Sequence, residues 1–149
     1  MNFYITGNRR GLGYALEQRY GNCNSLEACD IFINCKHDGF SQVDMLYKAI
    51  KLDKNKRVIS IGSYSSDWIY HPNVKLYQYG IEKRALRDAN SSLFDHGYSV
   101  TCINYGLLDT ESQADKDKPK MSVNYAVDIL DWILSQKHRV KEITVAPEQ

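Results

Sequence analysis

Short apolar runs alternate with segments of helical periodicity along almost the whole chain, and this pattern admits few folds. Residues 2–6 (NFYIT) are rich in aromatic and β-branched side chains, as a strand requires. From Gly11 the spacing changes, and Leu12, Ala15, Leu16 and Tyr20 recur at helical intervals. Residues 30–35 (DIFINC) read as a continuous run suited to a strand buried on both faces. A helix follows over residues 41–52, with Val43, Leu46, Tyr47 and Ile50 on one face and Ser41 as its cap. Further strands are expected at 57–63, 98–104 and near 142–146, with helices over about 76–94 and 121–134. Strands alternating with helices predict a parallel sheet covered on both faces: a three-layer α/β sandwich of about five strands.

The 149 residues suffice for one domain, 1–149, with one proper core. Nineteen Lys and Arg against eighteen Asp and Glu leave a formal charge of +1, which argues against a general nucleic-acid binder. No apolar stretch is long enough to span a membrane, and the N-terminus lacks a signal-peptide pattern, so a cytoplasmic protein without a membrane partner is expected. The four cysteines form no C-x-x-C pair and the four histidines are scattered, so no metal site is expected. The segment DTESQADKDKPK is polar, without apolar periodicity, and reads as a mobile surface loop.

Between the first strand and the first helix lies TGNRRGLG, residues 6–13. Gly7, Gly11 and Gly13 fall at the turn, where an open α/β sheet brings backbone N–H groups and a helix N-terminus close to a phosphate. The spacing G-x-x-x-G-x-G is not the commonest dinucleotide fingerprint, and a purely structural turn is the alternative. No Lys-Ser or Lys-Thr follows, which argues against a nucleoside-triphosphate P-loop.

A second constellation lies in KLYQYGIEKRAL. Tyr79 and Lys83 are four residues apart, so on a helix both project from one face. An ammonium beside a phenol favours phenolate, which would bring the tyrosine towards the working range of an acid/base catalyst.

Taken in order, these pieces resemble the short-chain dehydrogenase/reductase family. TGNRRGLG resembles its T-G-x-x-x-G-x-G cofactor turn, and DIFINCKH the strand usually ending N-N-A-G. VISIGS is similar to the strand that delivers the catalytic serine, YGIEK to its Y-x-x-x-K, and INYGLLDT to the segment usually written with Pro-Gly and a later threonine. The likeness runs over nearly the whole chain and implies a Rossmann-like fold. It implies an oxidoreductase moving hydride between a nicotinamide cofactor and a small carbonyl or alcohol substrate. Tyr79 would be the general acid/base, and Lys83 would lower its pKa and bind the nicotinamide ribose. Ser63, at the strand end, would hydrogen-bond the substrate oxygen, with Ser66 as a competitor closer to the usual spacing.

The cofactor would lie along Gly7, Asn8, Arg9, Arg10, Gly11, Leu12 and Gly13, with Asn34 lining the cleft and Thr110 near the nicotinamide amide or the pyrophosphate. Arg10 stands where similar proteins place a basic residue for the 2′-phosphate of NADP, and a guanidinium can grip phosphate with two parallel bonds. No acidic residue stands where one would bind the free ribose, so NADP(H) is favoured over NAD(H). A solvated pair of turn arginines is the alternative.

The chain also departs from the family. Only residues 20–29 (YGNCNSLEAC) separate the first helix from DIFINC, too few for a βαβ crossover of a dozen or more. Two strands of the adenosine-binding half are therefore missing. The expected strand order is 1-2-3-4-5, with the first strand at an edge that must be covered, paired with another chain or left open. Lys36-His37 replaces the usual Ala-Gly, Tyr105 replaces proline, and no catalytic asparagine is carried over. By analogy, a homo-oligomer, dimer or tetramer, would bury the missing surface. A non-catalytic NAD(P)-binding or sensing protein of the same fold is the alternative function.

Overall fold

The computed structural model describes residues 1–148. The strands are β1 (Phe3–Ile5), β2 (Ile31–Asn34), β3 (Arg57–Ser63), β4 (Val100–Tyr105) and β5 (Glu142–Val145). The helices are α1 (Gly11–Tyr20), α2 (Ser41–Leu52), α3 (Gln78–Asp95) and α4 (Val123–Ser135). Every strand pairing is parallel, and the sheet order is β1-β2-β3-β4-β5, the order expected from the short link after α1.

Alternation along each strand divides the core in two. Ile31, Ile33, Ile59 and Ile103 face α1 and α4, where Leu12, Leu16, Ala126, Leu130 and Ile133 meet them. Phe32, Val58 and Val100 face α2 and α3, against Leu46, Ala49, Ile50, Leu86 and Leu93. All four residues of β2 are buried, as the continuous apolar run required.

The open edge of β1 is covered from within the chain. Its outward groups are those of Phe3 and Ile5, since Asn2 and Thr6 bond towards β2. Cys23 N–H donates to the Phe3 carbonyl (2.8 Å). The Asn22 side-chain amide accepts from Ile5 N–H (3.4 Å) and donates to the Ile5 carbonyl (2.9 Å). One carboxamide thus answers both polar groups of one strand residue, as a neighbouring peptide would.

Smaller differences from the sequence reading have local causes. Ser41 is the first residue of α2 rather than its cap; Phe40 precedes it and no side chain caps the helix. The last helix begins at Val123, because Met121 is held in a parallel bridge with Leu108 and the Ser122 hydroxyl accepts from Tyr125 N–H (3.0 Å). That bridge closes the base of the polar segment, which contains a short 3-10 turn over Glu111–Gln113. Among the described residues, no helix is long and apolar enough to cross a membrane.

Candidate active site

Because all strands are parallel, the segments following β1, β2, β3 and β4 emerge along one edge of the sheet, the edge where open α/β folds bind ligands. The glycine turn follows β1 there. Gly7 and Gly11 have φ of +66° and +63°, the left-handed region that favours glycine. A Cβ on Gly13 would lie 1.9 Å from the Gly7 carbonyl oxygen, so the start of α1 packs directly on the turn. A Cβ on Gly7 would stand 3.0 Å from Lys36 Cα, and one on Gly11 would be 3.5 Å from Thr110 Cγ2. The turn therefore touches the segments after β2 and β4.

Around this turn, Asn8 donates through Nδ2 to Glu17 Oε1 (3.0 Å), and Leu12 is buried in the core. Arg9 and Arg10 are exposed. Arg10 is the extended residue preceding α1, its side chain caps nothing, and neither arginine has an ion-pair partner among the described residues. Thr110 is half-buried, its hydroxyl 3.1 Å from that of Ser112.

Tyr79 and Lys83 occupy the first two turns of α3, with Lys83 Nζ 5.7 Å from the Tyr79 ring centroid. Lys83 is only 4% exposed and donates to Gln42 Oε1 (2.8 Å) and to the Ile61 carbonyl (3.1 Å). Burial pulls its pKa down to about 8, while Cys35, Cys102 and Glu82 oppose that fall. The sequence reading had this ammonium lowering the Tyr79 pKa. In the structure Tyr79 is instead raised, because burial dominates; a hydrogen bond with Ser63 is what lowers it, against Tyr77 and Glu82. The reason is placement: Lys83 spends two donors on Gln42 and Ile61.

The two candidate serines part company. Ser63 ends β3 close enough to Tyr79 to lower its pKa, and its hydroxyl lies 2.6 Å from that of Ser65. Ser66 is fully buried and accepts from Arg87 Nη1 (3.4 Å), one turn of α3 beyond Lys83. Asn34 turns its side chain inward: Nδ2 donates to the Gln42 carbonyl (2.8 Å) and to Ser60 Oγ (3.2 Å).

Gln42, Glu82 and His37 enter the site without a sequence motif. Gln42 is 2% exposed, and its Nε2 donates to the Asn34 and Ile61 carbonyls (2.8 and 2.9 Å). Its signal was legible: it shares the buried face of α2 with Leu46, Ala49 and Ile50. Glu82 likewise lies on the buried stripe of α3 with Leu86, Ala89 and Leu93. A polar residue on an apolar stripe needs a partner. His37 gave no such signal, since it lies in the loop after β2.

The arrangement is that of a Rossmann-like α/β domain with a tyrosine, a lysine and a serine at the ligand-binding edge of its sheet. No family model matches the sequence, and no curated protein does. Solved structures share the fold. The closed form of a serine dehydrogenase complexed with NADP+ superposes at a TM-score of 0.72, 15% identical, over 97% of this chain and 94% of that one. A 4-hydroxyisoleucine dehydrogenase mutant complexed with NADH and succinate gives 0.73 at 14% identity, over 100% and 98%. A short chain dehydrogenase from Burkholderia cenocepacia J2315 in complex with NADP gives 0.67 at 16%, over 95% and 86%. The chain thus has the fold of the short-chain dehydrogenases, with a five-stranded sheet.

The residues present fit one side of a nicotinamide nucleotide better than the other. The turn around Gly7 and Gly13 leaves no room for a Cβ, Arg9 and Arg10 have no ion-pair partner among the described residues, and Lys83 keeps one donor. The adenosine side receives no strand end, because Asn22 and Cys23 occupy the edge of β1.

Proposed function

We infer that the chain is an NADP-dependent oxidoreductase of the short-chain dehydrogenase/reductase type, acting on a small carbonyl or alcohol. The observation that carries this is the meeting of Ser63, Tyr79 and Lys83 at the edge that also bears the glycine turn. The fold shared with dehydrogenases complexed with NADP+ and NADH supports it. When bound, the nicotinamide supplies or accepts the hydride. In carbonyl reduction Tyr79 gives its proton to the substrate oxygen, and Ser63 donates a hydrogen bond to that oxygen as charge develops there. Lys83 uses its third N–H for the ribose hydroxyls, and Ser63 is the group that favours the phenolate Tyr79 becomes. Gly7, Gly11 and Gly13 admit the phosphates, Arg9 and Arg10 take the 2′-phosphate, and Thr110 stands beside the turn. The setting is cytoplasmic, as a homo-oligomer. The free state of all four cysteines agrees with a reducing compartment.

The capped β1 edge favours a second reading, a nucleotide-binding or sensing protein without turnover, since it removes part of the usual dinucleotide platform. Titration with NADPH and NADH, followed by nicotinamide fluorescence, separates the readings. Tight NADPH binding, weakened at least ~10-fold in Arg10→Ala, with turnover on a carbonyl panel that Tyr79→Phe abolishes, is the expected result. Binding that survives Tyr79→Phe without any turnover by the parent selects the sensor. Absence of binding at millimolar nucleotide overturns both.

A further inference from the structure

The ring of Tyr79 is held by groups that the reaction outlined above does not use. It is 39% exposed, on the first turn of α3, so the helix alone leaves its rotamer free. The His37 imidazole stands edge-on to it, with ring centroids 4.8 Å apart and planes inclined by 69°. His37 is itself fixed: its Nε2 lies 3.2 Å from Glu82 Oε1. Glu82 is only 8% exposed, and its other oxygen accepts from Gln78 Nε2 (3.0 Å). The loop closes over this carboxylate, since a Cβ on Gly39 would come within 3.6 Å of Glu82 Oε2. Glu82 is thus a buried acid joined at one oxygen to α3 and at the other to the loop after β2.

Bond capacity says more about the pair. Both N–H groups of Gln42 are spent on the Asn34 and Ile61 carbonyls, and its Oε1 accepts from Lys83, so towards His37 it offers only an acceptor. On the other side His37 Nε2 faces the Glu82 carboxylate at 3.2 Å, so protonation of the ring sets a cation directly beside that acid. With a side chain 31% exposed, His37 also reaches solvent.

We propose that His37 and Glu82 form a positioning pair for Tyr79, fixing its ring and coupling the release of its proton to the charge that the pair carries. The proposal rests on the reading of Tyr79 as the acid/base group. The ionisable groups around it are few. Glu82 and Lys83 come from α3, Tyr77 from the residue before it, and His37 from the loop after β2. Cys35, just after β2, and Cys102 on β4 act on Lys83 from the sheet. Ionised Glu82 opposes phenolate formation, and protonation of His37 offsets that charge. Burial and the Lys83 ammonium hold His37 below its ordinary value, while Glu82 raises it. His37 therefore changes charge on the acid side of neutrality.

Fluorine NMR of the chain labelled with 3-fluorotyrosine tests this without any nucleotide, with Tyr79→Phe assigning the signal. Two steps are expected for Tyr79: a small one at the midpoint of the His37 ring protons and a large one where the phenol ionises. In Glu82→Gln the large step moves to lower pH by roughly one unit, a ~10-fold change in the ionisation constant. In His37→Gln the small step disappears, and kcat falls more than KM changes. Thermal melts confirm that both variants fold. An unmoved phenol step in Glu82→Gln, or a small step that persists in His37→Gln, overturns the pairing. Failure of the parent to bind NADPH would overturn the proposed function while leaving the fluorine result intact.

Discussion

The two faces of the sheet are built on different terms. The face under α1 and α4 is sealed by aliphatic side chains, and its buried Tyr105 hydroxyl is satisfied by the Ala126 carbonyl (2.6 Å). The face under α2 and α3 starts with a similar apolar cluster, around Phe32, Leu46 and Leu86. Towards the ligand edge it changes character, and Asn34, Gln42, Ser60, Glu82 and Lys83 are all buried there. Burying polar groups costs stability unless every donor and acceptor is met. The comparison shows a division of labour: one face supplies cohesion, and the other holds functional groups at fixed distances.

Cutting into the first face should produce the largest effect. Leu130 is fully buried between α4 and the sheet, so Leu130→Ala is expected to cost about 2–5 kcal/mol in urea unfolding. Nucleotide affinity, measured at temperatures where the variant is folded, should stay near the parent's. A comparable loss of affinity would mean that the two faces are not independent.

The second face should respond to pH instead. Lys83 has a folded pKa of about 8, below its ordinary 10.5, so the unfolded chain binds more protons between those values. Its burial penalty is therefore full below pH 8 and fades as pH rises towards 10.5, amounting to about 3 kcal/mol over that range. Lys83→Met removes this increment. Comparing chemical denaturation of parent and variant from pH 7 to 10 should show the difference, since the thiols of Cys35 and Cys102 titrate oppositely in both. Parallel curves would mean that Lys83 is solvated in the folded chain.

The smallest effect is expected at the sheet edge. Asn22→Ala leaves the N–H and carbonyl of Ile5 to water, at a cost of about 1 kcal/mol. The sharper readout is self-association by light scattering, which should rise with concentration as the edge of β1 becomes available. An unchanged association profile would show that Cys23 alone protects the strand.

Much of the frame was legible. Alternating periodicity placed every strand and helix, and the ten residues from Tyr20 to Cys29 decided the strand order by being too few to cross over. Tyr79 and Lys83 were legible because four residues on a helix define a face. Their electrostatics were not: which groups would claim the Lys83 donors depends on α2 docking beside α3, a tertiary fact. Gln42 and Glu82 could have been suspected from their positions on apolar stripes. His37 could not, because a loop has no periodicity to violate. Ser63 and Ser66 were separable only once the short turn over Tyr64–Asp67 directed one of them to Tyr79 and the other to Arg87.

The carboxamide beside β1 bears on how such a domain can shrink. Removing strands from the flank of a parallel sheet normally creates a raw margin that recruits neighbours. Here a single side chain imitates the missing backbone for one residue's length, so the margin is closed without a further strand and the remaining strands keep their register. Economy of this kind needs only an asparagine at the right bend and one backbone N–H beside it.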